Sequence, residues 1–246
     1  MPTSTDTVQT ADGTCPVRLF TPNGAGPWPG VVMFPDAGGV RDTFAEMAQR
    51  LADYGYAVLL PDVYYRAGAW APFDLATAFS DPAERERVFA LIGSLTPDRV
   101  AGDATVLFDY LESSPSVSGT RFGLCGYCMG GRMTMIVAGR VPARVATAAS
   151  FHGGGLVTDG KDSPHLLADR ITATVYLGAA ENDASFTAAN GRTLEAALAA
   201  AGVEHQLEWY AAPHGFAVPD NPSYDAAAAR RHWEALTAVF AAILPG

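Results

Sequence analysis

Residues 126–131, Gly-Tyr-Cys-Met-Gly-Gly, place a thiol two positions after one glycine and two before another. Cysteine attacks carbonyl carbon as the thiolate, and glycines at these offsets allow a sharp, strained turn from a strand into a helix. Such a nucleophile elbow lifts its central side chain to the end of a sheet, where neighbouring backbones approach too closely for larger residues. The flanks fit: Arg121–Cys125 reads as a short buried strand and Arg132–Ala138 as the first turns of a helix. The motif alone also describes a glycine-rich turn around an inert thiol, so its partners decide the matter.

A thiol with an ordinary pKa is mostly protonated near neutrality, so Cys128 needs a base, and the base needs a group that orients it. In α/β sheets such groups gather after the C-terminal ends of strands. The strand-like run Ile171–Leu177 leads into residues 178–183 with Glu181 and Asp183, and Val203–Tyr210 leads into residues 211–216 with His214. Nucleophile, acid, histidine is the chain order of the α/β-hydrolase triad. Cys128, Asp183 and His214 are therefore the candidate catalytic residues. His214 would take the thiol proton and return it to a leaving alkoxide, while Asp183 orients the imidazole. The N–H groups of Met129 and Ala37 are candidate oxyanion donors. A thiol suits activated esters and lactones better than amides. His152, at the end of a strand beside three glycines, is a candidate substrate contact; His165, His205 and His232 read as surface or core histidines.

These groups need a parallel sheet to hold them. The opening reads as a hairpin, Thr5–Thr10 and Cys15–Thr21 around Asp12-Gly13. Val31–Phe34 is a buried-type strand ending at Pro35–Gly39. Thr43 and Glu46 have capping-box spacing for a helix carrying Phe44, Met47 and Leu51, and Tyr56–Leu60 is the next strand. Residues 63–95 lose the pattern but hold Tyr64, Tyr65, Trp70, Phe73 and Phe79, then a charged run at 84–87, as a lid or a satellite cluster would. Thr96-Pro97 opens a helix to about Glu112, Ala146–Phe151 is a strand, Thr187–Ala201 a helix, and Tyr224–Leu244 a helix with Trp233, Leu236, Phe240 and Ile243 on one stripe. Strands alternating with helices predict one α/β domain over 1–246, with a mostly parallel sheet of about eight strands and helices on both faces.

The 246 residues are 49% hydrophobic, enough for a sizeable core. A net charge of −10 argues against nucleic acid or an anionic membrane as partner. The polar start, Met1–Gly13, lacks the apolar region of a secretion signal, and no run is long enough to span a bilayer. Three cysteines, an odd and low count, argue against a disulfide framework and point to a reducing cytoplasm. Cys125 and Cys128 form a C-x-x-C without the second ligand pair a zinc site requires, and Cys125 falls within the strand, unlike a redox pair at a helix start. Cys125 and Cys15 read as packing residues.

With these residues in place, the chain resembles the dienelactone hydrolase family over nearly its whole length. The likeness is carried by residues 126–131, Asp183, the His214-Gly215-Phe216 loop, residues 56–58 and 61–64, and the run at 84–87. It implies an α/β-hydrolase fold, no cofactor, a small ester or lactone substrate, and opening of an enol lactone through an acyl-thiol intermediate with Cys128, Asp183 and His214 as triad. It also implies substrate-binding or thiol-control roles near Asp36, Tyr64 and Arg87. Two positions depart from the family. Its best-studied members carry glutamate, controlling thiol ionisation, where this chain has Asp36, and a carboxylate-gripping arginine where it has Val218; Arg87 matches the family's other arginine. Alternatives at this stage are a thioesterase or acyl transferase with the same triad, or a non-catalytic ligand-binding or redox-sensing relative. A monomer or small homo-oligomer is expected.

Overall fold

The apolar runs form the middle of one eight-stranded sheet. In this computed structural model residues 3–244 are described; Met1 and Pro2, which begin the polar N-terminal stretch, lie outside the described residues. The strands are β1 (Thr3–Thr10), β2 (Gly13–Phe20), β3 (Trp28–Phe34), β4 (Ala57–Pro61), β5 (Val117–Tyr127), β6 (Val145–Phe151), β7 (Thr174–Ala180) and β8 (His205–Tyr210). Their order across the sheet is β1-β2-β4-β3-β5-β6-β7-β8. The β1–β2 hairpin joins β4 antiparallel, and all pairs from β4 to β8 are parallel.

Burial follows position. Every residue of β4 and nearly every residue of β3 is buried, as expected of central parallel strands covered on both faces, while the edge strand β1 is mostly exposed and polar. The helices are α1 (Asp42–Asp53), α2 (Pro82–Ser94), α3 (Pro97–Ser113), α4 (Met129–Arg140), α5 (Ala188–Ala200) and α6 (Ala226–Ile243). On one face α1 and α6 bury Phe44, Met47, Leu51, Trp233, Leu236 and Phe240. On the other, α3, α4 and α5 bury Phe108, Met133 and Leu194. Each such side chain stabilises the fold by about 1.5–3 kcal/mol. No helix among the described residues is long and apolar enough to cross a membrane.

Several local expectations shift. The capping box at Thr43 and Glu46 does not form: α1 starts two residues earlier than that box would place it, its N-cap is Arg41, and no side chain caps it. Thr43 instead bonds Asp220. The strand expected at Ile171–Leu177 lies three residues later, at Thr174–Ala180. At its end Gly178 makes room for the Phe151 ring, which a Cβ there would approach to 2.7 Å. Inside 63–95 a complete helix, α2, is present, with Asp81 as its N-cap accepting from Glu84 N–H. Thr96 caps α3 as its sequence predicts.

Candidate active site

The elbow is built by steric necessity. Cys128 joins β5 to α4 with φ 54° and ψ −115°, a conformation that costs an L-residue of order 1–3 kcal/mol. Around it there is no room: a Cβ on Gly126 would lie 2.1 Å from the Gly130 carbonyl oxygen, and one on Gly130 would lie 2.3 Å from that of Phe34. Gly131 is equally confined, against Ser150 and Gly153. The strained residue is held by its backbone: Cys128 N–H donates to Phe151 O at 3.0 Å, and Cys128 O accepts from Gly154 at 3.3 Å. The thiol is half-buried.

Asp183 follows the end of β7 and His214 follows β8. His214 Nδ1 lies 2.6 Å from Asp183 Oδ2, which makes the other ring nitrogen the one available to the sulfur. The second carboxylate oxygen accepts from Ser185 Oγ at 2.6 Å and Ser185 N–H at 2.7 Å. Burial raises the Asp183 carboxyl, but the hydrogen bonds and charge of His214, with Ser185, outweigh it and hold the pKa below the usual carboxylate value. Burial likewise pulls His214 down. The Cys128 sulfur, as charge and hydrogen-bond acceptor, and Asp183 together overcome this and bring His214 up to about 10. An imidazole so held is placed to carry a proton to or from the neighbouring sulfur. Glu181, the other acid in this loop, is exposed.

The candidate oxyanion donors sit on either side of a tight contact. Met129 is the first residue of α4, so its N–H has no acceptor within the helix. The loop after β3 turns tightly, with Gly38 N–H donating to Asp36 Oδ1 at 2.9 Å and Gly39 N–H to Asp36 O at 2.9 Å. Ala37 N–H, between them, meets no acceptor among the described residues. Tyr64, wholly buried, donates to Ala37 O at 3.0 Å and also lies 3.1 Å from Met129 Sδ. Burial, reinforced by the charge of Cys128, raises its phenol, so it remains a donor. Tyr64 thus touches both donor residues rather than forming an exposed wall.

Three expected substrate contacts are placed differently. His152 does not face open space: it is 0% exposed, with φ 37°, and packs edge-on behind His214 at 5.1 Å between ring centroids. Burial, then the neighbouring His214 and His232, hold it neutral. It was legible as a strand-end histidine, but the strand's last turn sends it inward between Phe216 and Tyr127. Arg87 lies over the Phe73 ring at 3.8 Å and bonds Glu84 and the Ala71 carbonyl, so its guanidinium is occupied within the 63–95 segment. Asp36 is bound by Arg41 through two hydrogen bonds, at 2.8 and 3.0 Å. Val218 is wholly buried.

Ser185 and Arg41 escaped the sequence reading. Ser185 had a signal, since a hydroxyl residue two positions after an aspartate favours a local turn. Arg41 had none, because one of its partners, Asp220, is 179 residues away. Cys125 is fully buried, its thiol pushed up by burial, in the core layer with Phe44 and Tyr127, while Cys128 packs against the opposite layer. That separation disfavours redox sensing by the C-x-x-C. His232, also buried, is 2.9 Å from Tyr127 Oη and is a core histidine as expected. A groove of about 590 Å³ lined by Glu181, Asp183, Phe186 and Trp209 adjoins the site behind the acid. No group of three or more His, Cys, Asp or Glu among the described residues is arranged to hold a metal ion.

Known proteins resemble this chain in sequence and fold. Residues 15–244 match the dienelactone hydrolase family. A carboxymethylenebutenolidase from Pseudomonas putida is 28% identical over 223 residues, covering 90% of this chain and 89% of that one. A dienelactone hydrolase-like promiscuous phosphotriesterase from metagenomic libraries superposes with a TM-score of 0.76 at 27% identity, covering 99% of this chain and 100% of that one. A cold-adapted esterase from an Arctic intertidal metagenomic library, 17% identical over 98% of this chain and 94% of its own, shares the fold with a TM-score of 0.70. With the family match running from β2 through α6, the chain belongs to the dienelactone hydrolase family of ester and lactone hydrolases.

Proposed function

We propose that the protein hydrolyses a small ester or lactone through an acyl-thiol intermediate on Cys128. The observation that carries this reading is the relay at the elbow: a strained, half-buried thiol, an imidazole raised to about 10 by that sulfur and by Asp183, and a carboxylate with both oxygens engaged.

In the first half-reaction the Cys128 sulfur attacks the carbonyl carbon and a C–S bond forms. The oxyanion is met by the N–H groups of Met129 and Ala37. As the intermediate collapses the C–O bond breaks, and the proton on His214 passes to the departing alkoxide, which in a lactone stays tethered. Water then attacks the thioester, His214 takes its proton, and the C–S bond breaks to give the acid and restore the thiolate. Asp183 stabilises the imidazolium at both stages. Ser185 keeps Asp183 from rotating away.

Rapid quenching of the enzyme with 4-nitrophenyl acetate, followed by intact-mass measurement, tests the reading. An adduct of one acetyl group should accumulate on wild type and be missing from Cys128→Ala, whose turnover should fall by roughly 10⁶, the scale of removing a triad nucleophile. Equal turnover by the two proteins would overturn the assignment.

A further inference from the structure

Arg41 lies between the loop after β3 and the loop after His214. Its Nε donates to Asp220 Oδ2 at 2.6 Å. Nη1 donates to Asp36 Oδ1 at 2.8 Å and to Gly39 O at 3.1 Å, and Nη2 to Asp36 Oδ2 at 3.0 Å and Asp220 Oδ1 at 2.8 Å. A guanidinium has five N–H groups, and all are used. Asp36 is engaged through both oxygens: Oδ1 accepts from Arg41 and from the Gly38 N–H, and Oδ2 from Arg41. Asp36 is 4% exposed, and the Arg41 side chain 13%. The underside is closed by the Phe44 ring, 4.9 Å from the guanidinium carbon.

Two consequences follow for the site. Asp36 is pinned in place by a bidentate contact with a buried arginine, whereas His214 has Asp183 on one ring nitrogen and its other nitrogen free to serve Cys128. Further, two carboxylates on one guanidinium leave a net negative cluster beside a candidate oxyanion donor. Such a cluster gives no welcome to a carboxylate on the substrate, and a buried anion needs a paired cation. Two arginines that could serve are committed: Arg41 is saturated, and Arg87 is tied to Glu84 and Ala71 O.

We propose that the Asp36–Arg41–Asp220 bridge is a fixed clasp that positions the oxyanion loop against the histidine loop, and that the enzyme consequently acts on uncharged esters or lactones without needing a substrate carboxylate. The three are positioning residues, acting through Ala37 N–H and His214. The proposal rests on Cys128 being the nucleophile.

Two measurements test it. The first compares kcat/KM for a matched pair, the 4-nitrophenyl ester of monomethyl succinate and that of succinate itself. The neutral ester should be turned over at least as well as the anionic one. A preference for the anion would overturn the proposal and direct attention to Arg132, on the first turn of α4, which bonds Gly155 O and has no carboxylate partner among the described residues. The second uses Asp220→Asn, at a side chain 40% exposed where folding should survive. It should lower kcat on the neutral ester by about tenfold, the scale of losing one charge-assisted hydrogen bond, with KM nearly constant. Asp220→Glu should recover part of the loss. The pH profile of Cys128 alkylation by iodoacetamide should not move. A shifted alkylation profile would overturn the clasp, since loosening Asp36 would then have altered the thiol. The alkylation experiment needs no turnover, so it judges the clasp even if Cys128→Ala shows the hydrolase reading to be wrong.

Discussion

The elbow and the loop after β3 each supply one candidate oxyanion donor, and they are held by opposite means. At the elbow the backbone is fixed by exclusion: Gly126, Gly130 and Gly131 leave no volume for Cys128 to relax into. At the oxyanion loop the backbone is fixed largely by attraction, through Arg41 on Asp36 and Gly39 O and Tyr64 on Ala37 O, with Trp70 adding one wall, 2.4 Å from where a Cβ on Gly39 would stand. Steric walls leave almost no room for adjustment. Charge and hydrogen bonds reach across the chain, and they can be loosened in steps.

The two devices meet at Gly130, where the largest effect is expected. A Cβ there would stand 2.3 Å from Phe34 O and 2.5 Å from Pro35 O, both main-chain atoms leading directly into Asp36 and Ala37. Gly130→Ala must therefore push the elbow and the oxyanion loop apart. We expect at least about 3 kcal/mol of destabilisation, the upper part of the range for overpacking, and a fall in Tm of roughly 6–12 °C. Calorimetry on the variant checks this. A Tm within a degree of wild type would mean the two backbones have slack, and the contrast between rigid elbow and adjustable loop would dissolve.

This contrast also explains what the sequence could reveal. The elbow was legible because its requirements are local: small residues at fixed offsets around one thiol, between an apolar run and a helical one. Asp183 and His214 were legible by the rule that functional groups follow strand ends, even though β7 begins three residues later than its composition suggests. The mostly parallel sheet and the helices on both faces followed from alternation of elements; the order of the strands did not. Position along a strand does not reveal direction, however, so His152 was expected in the open and lies wholly buried behind His214. The clasp was illegible for a different reason. Arg41 reads as a polar residue before a helix, and nothing in residues 36–43 announces that its other partner is Asp220. The capping-box spacing at Thr43 misled for the same cause: Thr43 is bonded to Asp220 rather than to its own helix.

A smaller effect isolates the attractive side of the comparison. Tyr64→Phe keeps the ring and its edge-on contact with Trp70, 5.4 Å between centroids, and removes only the hydroxyl that donates to Ala37 O. Losing one such bond is worth about 1 kcal/mol, so kcat should drop roughly fivefold if Ala37 N–H serves the oxyanion. Steady-state kinetics on a 4-nitrophenyl ester will read this directly. An unchanged kcat would show that the loop holds its place without Tyr64, leaving Arg41 and Trp70 as sufficient.

The smallest expected effect concerns the charge that joins the elbow to its partners. The pKa of His214 is raised from its ordinary value of about 6.5 to about 10, so the stabilisation it contributes is complete below the lower value and is lost as pH rises through the higher one. Asp183 is shifted downward, so its contribution is present at neutral pH and is lost only as acid titrates the folded carboxyl. Between pH 7 and 10 the wild type should therefore lose Tm more steeply than His214→Gln, which has no such group to titrate. Cys128→Ala adds a finer distinction, because the sulfur is the foremost of the influences that raise His214. With that sulfur gone, the loss should begin at lower pH while Asp183 still holds the imidazole somewhat above its ordinary value. Identical Tm profiles for wild type and Cys128→Ala would mean that Asp183 alone sets the charge on His214, and that the thiol at the elbow is held in place by its walls without being ionised by its partner.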